Sequence, residues 1–236
     1  MAMQGSKFMH YVASNLAREV NRLTGWSGPV FQNRYSMVVV TDEEAAQVER
    51  FKYVLAQGCK ENLVARARDW PGVSSVRALL DGEALTGHWV DRTQEYAARL
   101  QGKETDPRQF ASPEVLVLSP LPCWQHLSTE IYRARVAGLV DQFEREAAAE
   151  RARTGIEVLG ARAVLAQHPH HRPARVAKSP APLVHAASKA ARRAFYEVYR
   201  RFATAFREAS EKLRQGDRSA SFPAGSFPPA LPFVPG

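Results

Sequence analysis

The segment "GPVFQNRYSMVVVTDEEAAQVERFKYVLAQGCKENLV", residues 28–64, holds a tyrosine in an unexpected setting. If residues 42–57 form a helix, the turn of roughly 100° per residue gathers Val48, Phe51, Val54 and Leu55 on one side. Tyr53 then projects nearly opposite, with Ala46, Glu49 and Arg50, towards solvent or a cleft. A phenol there can cover its own helix, stack on a ligand, or act as an oxygen nucleophile. The last needs help, because a phenol with an ordinary pKa near 10 is weakly nucleophilic at neutral pH. Other arrangements are less suited to chemistry. In "HPHHRP", Pro169 between His168 and His170 is a poor strand residue, and the cluster reads as a polar, phosphate-contacting linker rather than a metal site. Cys123-x-x-His126 offers two ligands with no second pair. Neither a glycine-rich phosphate loop nor a Gly-x-Ser-x-Gly elbow occurs.

Basic residues form the other conspicuous feature. The net charge is +8, and residues 162–218 hold 13 Lys/Arg against 4 Asp/Glu, a balance of +9. Such a stripe attracts polyanions. Arg192, Arg193, Arg200 and Arg201, with Arg172, Arg175 and Lys178, could neutralise phosphates, while Tyr35, Tyr53 and Tyr196 could stack on unpaired bases. A basic helix face that is merely solvated accounts for the same pattern.

These residues need supporting elements. Phe8, Val12, Leu16, Val20 and Leu23 recur at helical spacing, which predicts an amphipathic helix ending near Leu23. "RYSMVVV" predicts a short strand, and Thr41 or Asp42 before "EEAA" suits the N-cap of the helix at 42–57, with Gly58 at its C′ position. Residues 81–127 read as an irregular connecting segment, preceded by a short helix around 76–80 and holding another around 93–100 and a strand at 115–118. A helix from Ser128 to Gly155 carries Tyr132, Val136, Leu139, Val140 and Phe143 as its stripe. In the last long helix, about 182–215, Phe195, Val198, Phe202, Phe206, Ala209 and Leu213 share a face expected to pack on the preceding helix. The proline- and phenylalanine-rich tail 216–236 is expected to be extended.

The composition, 45% apolar, suffices for a core, and no apolar run reaches the roughly 20 residues of a membrane-spanning helix. A cytoplasmic location without membrane contact is expected. Cys59 and Cys123 read as two buried or partly buried thiols.

"GPVFQNRYSMVVVTDEE", "YVLAQGCKENLV" and "DWPGVSS" together resemble the second half of single-tyrosine HUH transposases, in particular the REP-associated tyrosine transposases. Phe31, Arg34 and Tyr35 fit that family's strand, Tyr53 the nucleophile's place, and Val54, Lys60, Leu63 and Val64 the segment after it. Gln57 and Gly58 replace the family's Asn-Pro, and Asn62 replaces a glycine, a mild change because asparagine tolerates a left-handed cap. The resemblance covers about residues 8–80. It implies an α+β chain, predominantly helical: the back half of a ferredoxin-like HUH domain (1–80), the connecting segment, a basic helical extension (128–215) and the tail. It also implies a DNA-binding protein related to enzymes that cleave and rejoin single-stranded or hairpin DNA through a 5′-phosphotyrosine, with Arg34 and Lys60 approaching phosphates. The family uses magnesium or manganese held by a His-hydrophobic-His pair. This chain lacks that pair, so no cofactor is expected in it, and activity alone should be absent or feeble. A homodimer is compatible with the family. The alternatives are a non-catalytic nucleic-acid binder and a helical scaffold.

Overall fold

A computed structural model describes residues 2–31, 35–168 and 182–229. The chain is α+β and helix-rich, and it divides into two compact units: residues 1–46 with 169–236, and residues 47–168. Among the described residues no helix is long and apolar enough to cross a membrane.

The first unit contains helices α1 (Ala2–Thr24) and α8 (Lys189–Arg214) and a parallel pair of two-residue strands, β1 (Val39–Val40) and β4 (Val184–His185). The strand expected over "RYSMVVV" is thus confined to its last two residues, and its partner comes from far along the chain. Glu43 ties this pair to α8. Its carboxylate accepts from the backbone N–H of Ala187 (2.9 Å) and Ser188 (3.3 Å) and from Thr41 Oγ1 (2.8 Å). Ser188 is itself the N-cap of α8, its hydroxyl accepting from the Ala191 N–H at 3.1 Å.

The apolar stripe of α1 stays open: Phe8, Val12, Leu16 and Leu23 are all exposed. On α8 the shared face is covered only towards its C-terminal end, where Ala209 is buried and the Phe222 ring meets Phe206 edge-on at 5.5 Å. The beginning of the proline-rich tail therefore folds back on α8. Val198 and Phe202 remain exposed, contrary to the expectation that this whole face packs on the preceding helix.

In the second unit, α6 (Thr129–Thr154) supplies the central wall. Its Val136, Val140 and Phe143 are buried with Leu55, Cys59, Val64, Val76, Leu79 and Trp124. Trp124 receives the edges of Phe51 and Tyr132 at 6.4 and 6.0 Å. Around α6 stand α2 (Glu44–Leu55), α3 (Gln57–Lys60), α4 (Val76–Asp81) and α7 (Ala161–Leu165), while α5 (Arg92–Leu100) packs on the turn before β3. Residues 81–127 are more ordered than the sequence reading allows. Strands β2 (Leu85–Val90) and β3 (Ala111–Leu116) pair antiparallel, from Leu85 opposite Leu116 to Val90 opposite Ala111. The strand expected at 115–118 begins four residues earlier.

Gly58 does not end the tyrosine helix. It lies inside α3, where a Cβ would come within 3.0 Å of Val64 Cγ2 and 3.3 Å of the Trp70 ring, so its smallness serves packing. The left-handed residue is Asn62, at φ 54°, as its place in the motif allows. Its carbonyl accepts from Leu159 N–H at 2.9 Å, and that of Leu63 from Gly160 N–H at 2.9 Å, stitching the loop after α3 to the chain beyond α6.

Candidate functional site: the cleft around Tyr53

Tyr53 lies in the last turn of α2, and its ring is 45% exposed, as the helical rotation predicts. The neighbours on that helix divide less simply. Ala46, on the same side two turns earlier, is fully buried, while Val54, assigned to the apolar side, is 62% exposed. The side bearing Tyr53 is thus covered at the start of α2 and open at its end. Val54 instead faces a groove shared with Leu63, Trp70 and Val73.

Two cations stand against the phenol ring: Arg50 Cζ at 5.2 Å and Lys60 Nζ at 5.0 Å from its centroid. Both fall within cation–π range. Arg50 arrives by i, i+3 spacing on α2, and Lys60 is brought round by the short turn into α3. The far wall of the cleft comes from α6, through Phe143, Glu146, Ala147 and Glu150. Lys52 Nζ bridges the walls, donating to both Glu146 oxygens at 2.8 and 2.7 Å. That bond, aided by one from Gln142, holds the Glu146 carboxyl below its ordinary range. Arg153 does the same for Glu150.

The cleft therefore carries both signs, with Arg50, Lys52 and Lys60 against Glu49, Glu146 and Glu150. Its cationic edge lies at the ring of Tyr53, while Glu146 and Glu150 are turned onto Lys52 and Arg153. A divalent metal does not fit here. Among the described residues no three His, Cys, Asp or Glu side chains stand together to hold one, and Glu146 and Glu150 already engage cations.

Of the residues singled out in the sequence, Tyr53 and Lys60 come together in this cleft. Tyr35 is 44% exposed and belongs to the first unit. Arg34, Pro169, His170, Arg172, Arg175 and Lys178 lie outside the described residues. Arg192, Arg193, Arg200 and Arg201 are exposed on α8, which carries eight Lys/Arg against three Glu, a balance of +5. Arg200 Nε folds back to the Tyr196 carbonyl at 3.2 Å, keeping its guanidinium along the helix. Tyr196 is half-buried, its ring edge-on to Phe195 at 5.6 Å, so it is not the free stacking surface expected of it. Tyr199 is 41% exposed, with its ring stacked on Phe195 at 6.1 Å and an interplanar angle of 13°.

The sequence reading set Arg50 on the side of Tyr53 but gave it no part in the site, although their i, i+3 spacing was a usable signal, and the α6 wall escaped it. Nothing local marks Glu146, 94 residues from Lys52. A scan against family models and searches of curated proteins and solved structures find no match to the chain.

Proposed function

We propose that this is a DNA-binding protein related to the REP-associated tyrosine transposases, acting in the cytoplasm on single-stranded or hairpin DNA. Its ancestral reaction is cleavage and rejoining through a 5′-phosphotyrosine on Tyr53, within what was the back half of a ferredoxin-like domain. One observation carries the reading: Tyr53 stands open to solvent with Arg50 and Lys60 at its ring. A phosphate beside that ring would meet two positive charges within reach of the phenol oxygen. Binding would draw further on α8, whose arginines neutralise backbone phosphates while Tyr199 offers a face to an unpaired base.

Catalysis by these residues is weak in this reading. Among the described residues no base is hydrogen-bonded to the Tyr53 phenol, and two carboxylates of the cleft, Glu146 and Glu150, are engaged with Lys52 and Arg153. The test is a cleavage assay on a hairpin oligonucleotide with manganese present, comparing the protein with Tyr53→Phe. Little or no nicking by either is expected; efficient nicking abolished by Tyr53→Phe would overturn the claim of weak activity. Binding is tested separately by titration at rising salt. Log K should fall linearly with log salt, with a slope of about −0.7 per phosphate neutralised on a single strand. Replacing Arg200 and Arg201 by glutamate should flatten it. An undetectable or salt-independent association would return the molecule to the scaffold reading.

A further inference from the structure

The β2–β3 ribbon has two outer edges, and they are not equivalent. The Asp91 N–H donates to the Phe110 carbonyl at 2.9 Å, which places those opposed residues at the phase of the ladder where paired residues exchange bonds. Exchanging and non-exchanging pairs alternate along an antiparallel ladder. Trp89 with Ser112, Gly87 with Glu114 and Leu85 with Leu116 are therefore exchanging pairs. The backbone groups of Thr86, His88 and Val90 then point out of the ribbon along β2, and those of Ala111, Pro113 and Val115 point out along β3. Pro113 has no N–H, so the β3 edge is broken at its middle. The β2 edge is intact, and among the described residues no other backbone or side-chain bond reaches Thr86, His88 or Val90.

Thr86 through Trp89 are exposed, as is every residue of β3 after Ala111. A ribbon of two strands exposed on both sides is marginal alone and gains from a third. β2 also has the composition for pairing with itself, since "LTGHWV" bears no Asp, Glu, Lys or Arg and two copies meet without like-charge repulsion. Laid antiparallel about a twofold axis at His88, Thr86 pairs with the partner subunit's Val90, and His88 with the partner subunit's His88. Trp89 then lies opposite the partner subunit's Gly87. The space above Gly87 is open, with nothing within 4 Å of a Cβ placed there, and Trp89 is 42% exposed. An aromatic ring across from a strand glycine covers the gap that the glycine leaves. The same operation on β3 would set two prolines at the centre.

We infer that β2 is a homodimer seam, joining two chains into one four-stranded antiparallel sheet in the order β3, β2, β2, β3. The interface is isologous, so it closes at two copies. It is independent of the transposase reading and holds whether or not the chain binds DNA.

The test is sedimentation velocity on the full chain across a concentration series, with His88→Pro as the principal variant. That change removes an outward N–H at the seam and none from the ladder with β3, where Pro113 already stands opposite. The protein is expected to dimerise, and His88→Pro to raise the dimer dissociation constant about tenfold or more, since a bond is lost from each copy. Trp89→Ala should weaken the dimer too. Val115→Pro, on the other edge, should leave it unchanged. Circular dichroism of each variant should match the parent, showing that the helices persist. A chain monomeric at every concentration, or a dimer that survives His88→Pro, would overturn the proposal; so would a dimer lost with Val115→Pro and kept with His88→Pro.

Discussion

Cys59 sits fully buried at the centre of the second unit, its thiol 3.8 Å from the Ala65 carbonyl. Burial, with Glu144 second, pushes its pKa up to about 11, so the thiol stays protonated at neutral pH. A thiolate-directed reagent should therefore label Cys123 in the native protein and reach Cys59 only after denaturant is added, which mass spectrometry of the two peptides would read directly. Asn62 tests backbone geometry. Its left-handed conformation suits glycine or asparagine and penalises a β-branched side chain, so Asn62→Val should cost about 1–2 kcal/mol in a urea melt, with Asn62→Gly close to neutral. This residue was legible in the sequence because asparagine tolerates that conformation. Gly58 was not, because its constraint comes from Trp70, twelve positions on, and no local pattern announces a ring packed against a helix.

Helices with a strong apolar stripe could be read without the structure; pairing of strands could not. Tyr132, Val136, Leu139, Val140 and Phe143 fall at helical spacing on α6, and three of the five are buried. Phe143→Ala should accordingly cost about 3–5 kcal/mol, measured by denaturant unfolding, and should open Cys59 to alkylation at lower denaturant. Beyond the strand expected at 115–118, the β2–β3 ribbon was not legible, because glycine and proline, here Gly87 and Pro113, argue against a strand wherever they fall inside one. They are tolerated where Gly87 is open to solvent and Pro113 turns its missing N–H outward. The start of α8 depends on charge. The Ser188 hydroxyl, then that of Thr41, lowers the Glu43 pKa from its ordinary value. A folded value below the unfolded one means that the stabilisation is complete above the unfolded pKa, about 4.3, and is lost as pH falls through the folded value. Glu43→Gln should lower the melting temperature at pH 7, and the gap should close as the pH is taken down towards 3.

At the scale of the molecule, charge and chain order are unevenly distributed. The basic helix α8 lies in the unit built from both ends of the chain, while the Tyr53 cleft lies in the unit formed by residues 47–168. Charge reversal at Arg200 and Arg201 and substitution at Lys60 should therefore give separable effects on DNA binding, additive in free energy if the two surfaces act independently. The excess of positive charge was visible in the sequence; the grouping of residues 1–46 with 169–236 was not, because the pairing of Val39–Val40 with Val184–His185 within it is two residues long on each side, too short to read as a strand match. That pairing sets a clock on synthesis. Val184 leaves the ribosome 144 residues after Val40, which at about 5–20 residues per second is roughly 7–30 s. Throughout that interval β1 has no strand to join and the greasy side of α1 is already outside the tunnel, whereas residues 47–168 emerge as one uninterrupted stretch. The nascent chain is thus most exposed to mispairing at β1 until Val184 and His185 arrive, while the open stripe of α1 stays available to chaperones even after that pairing forms.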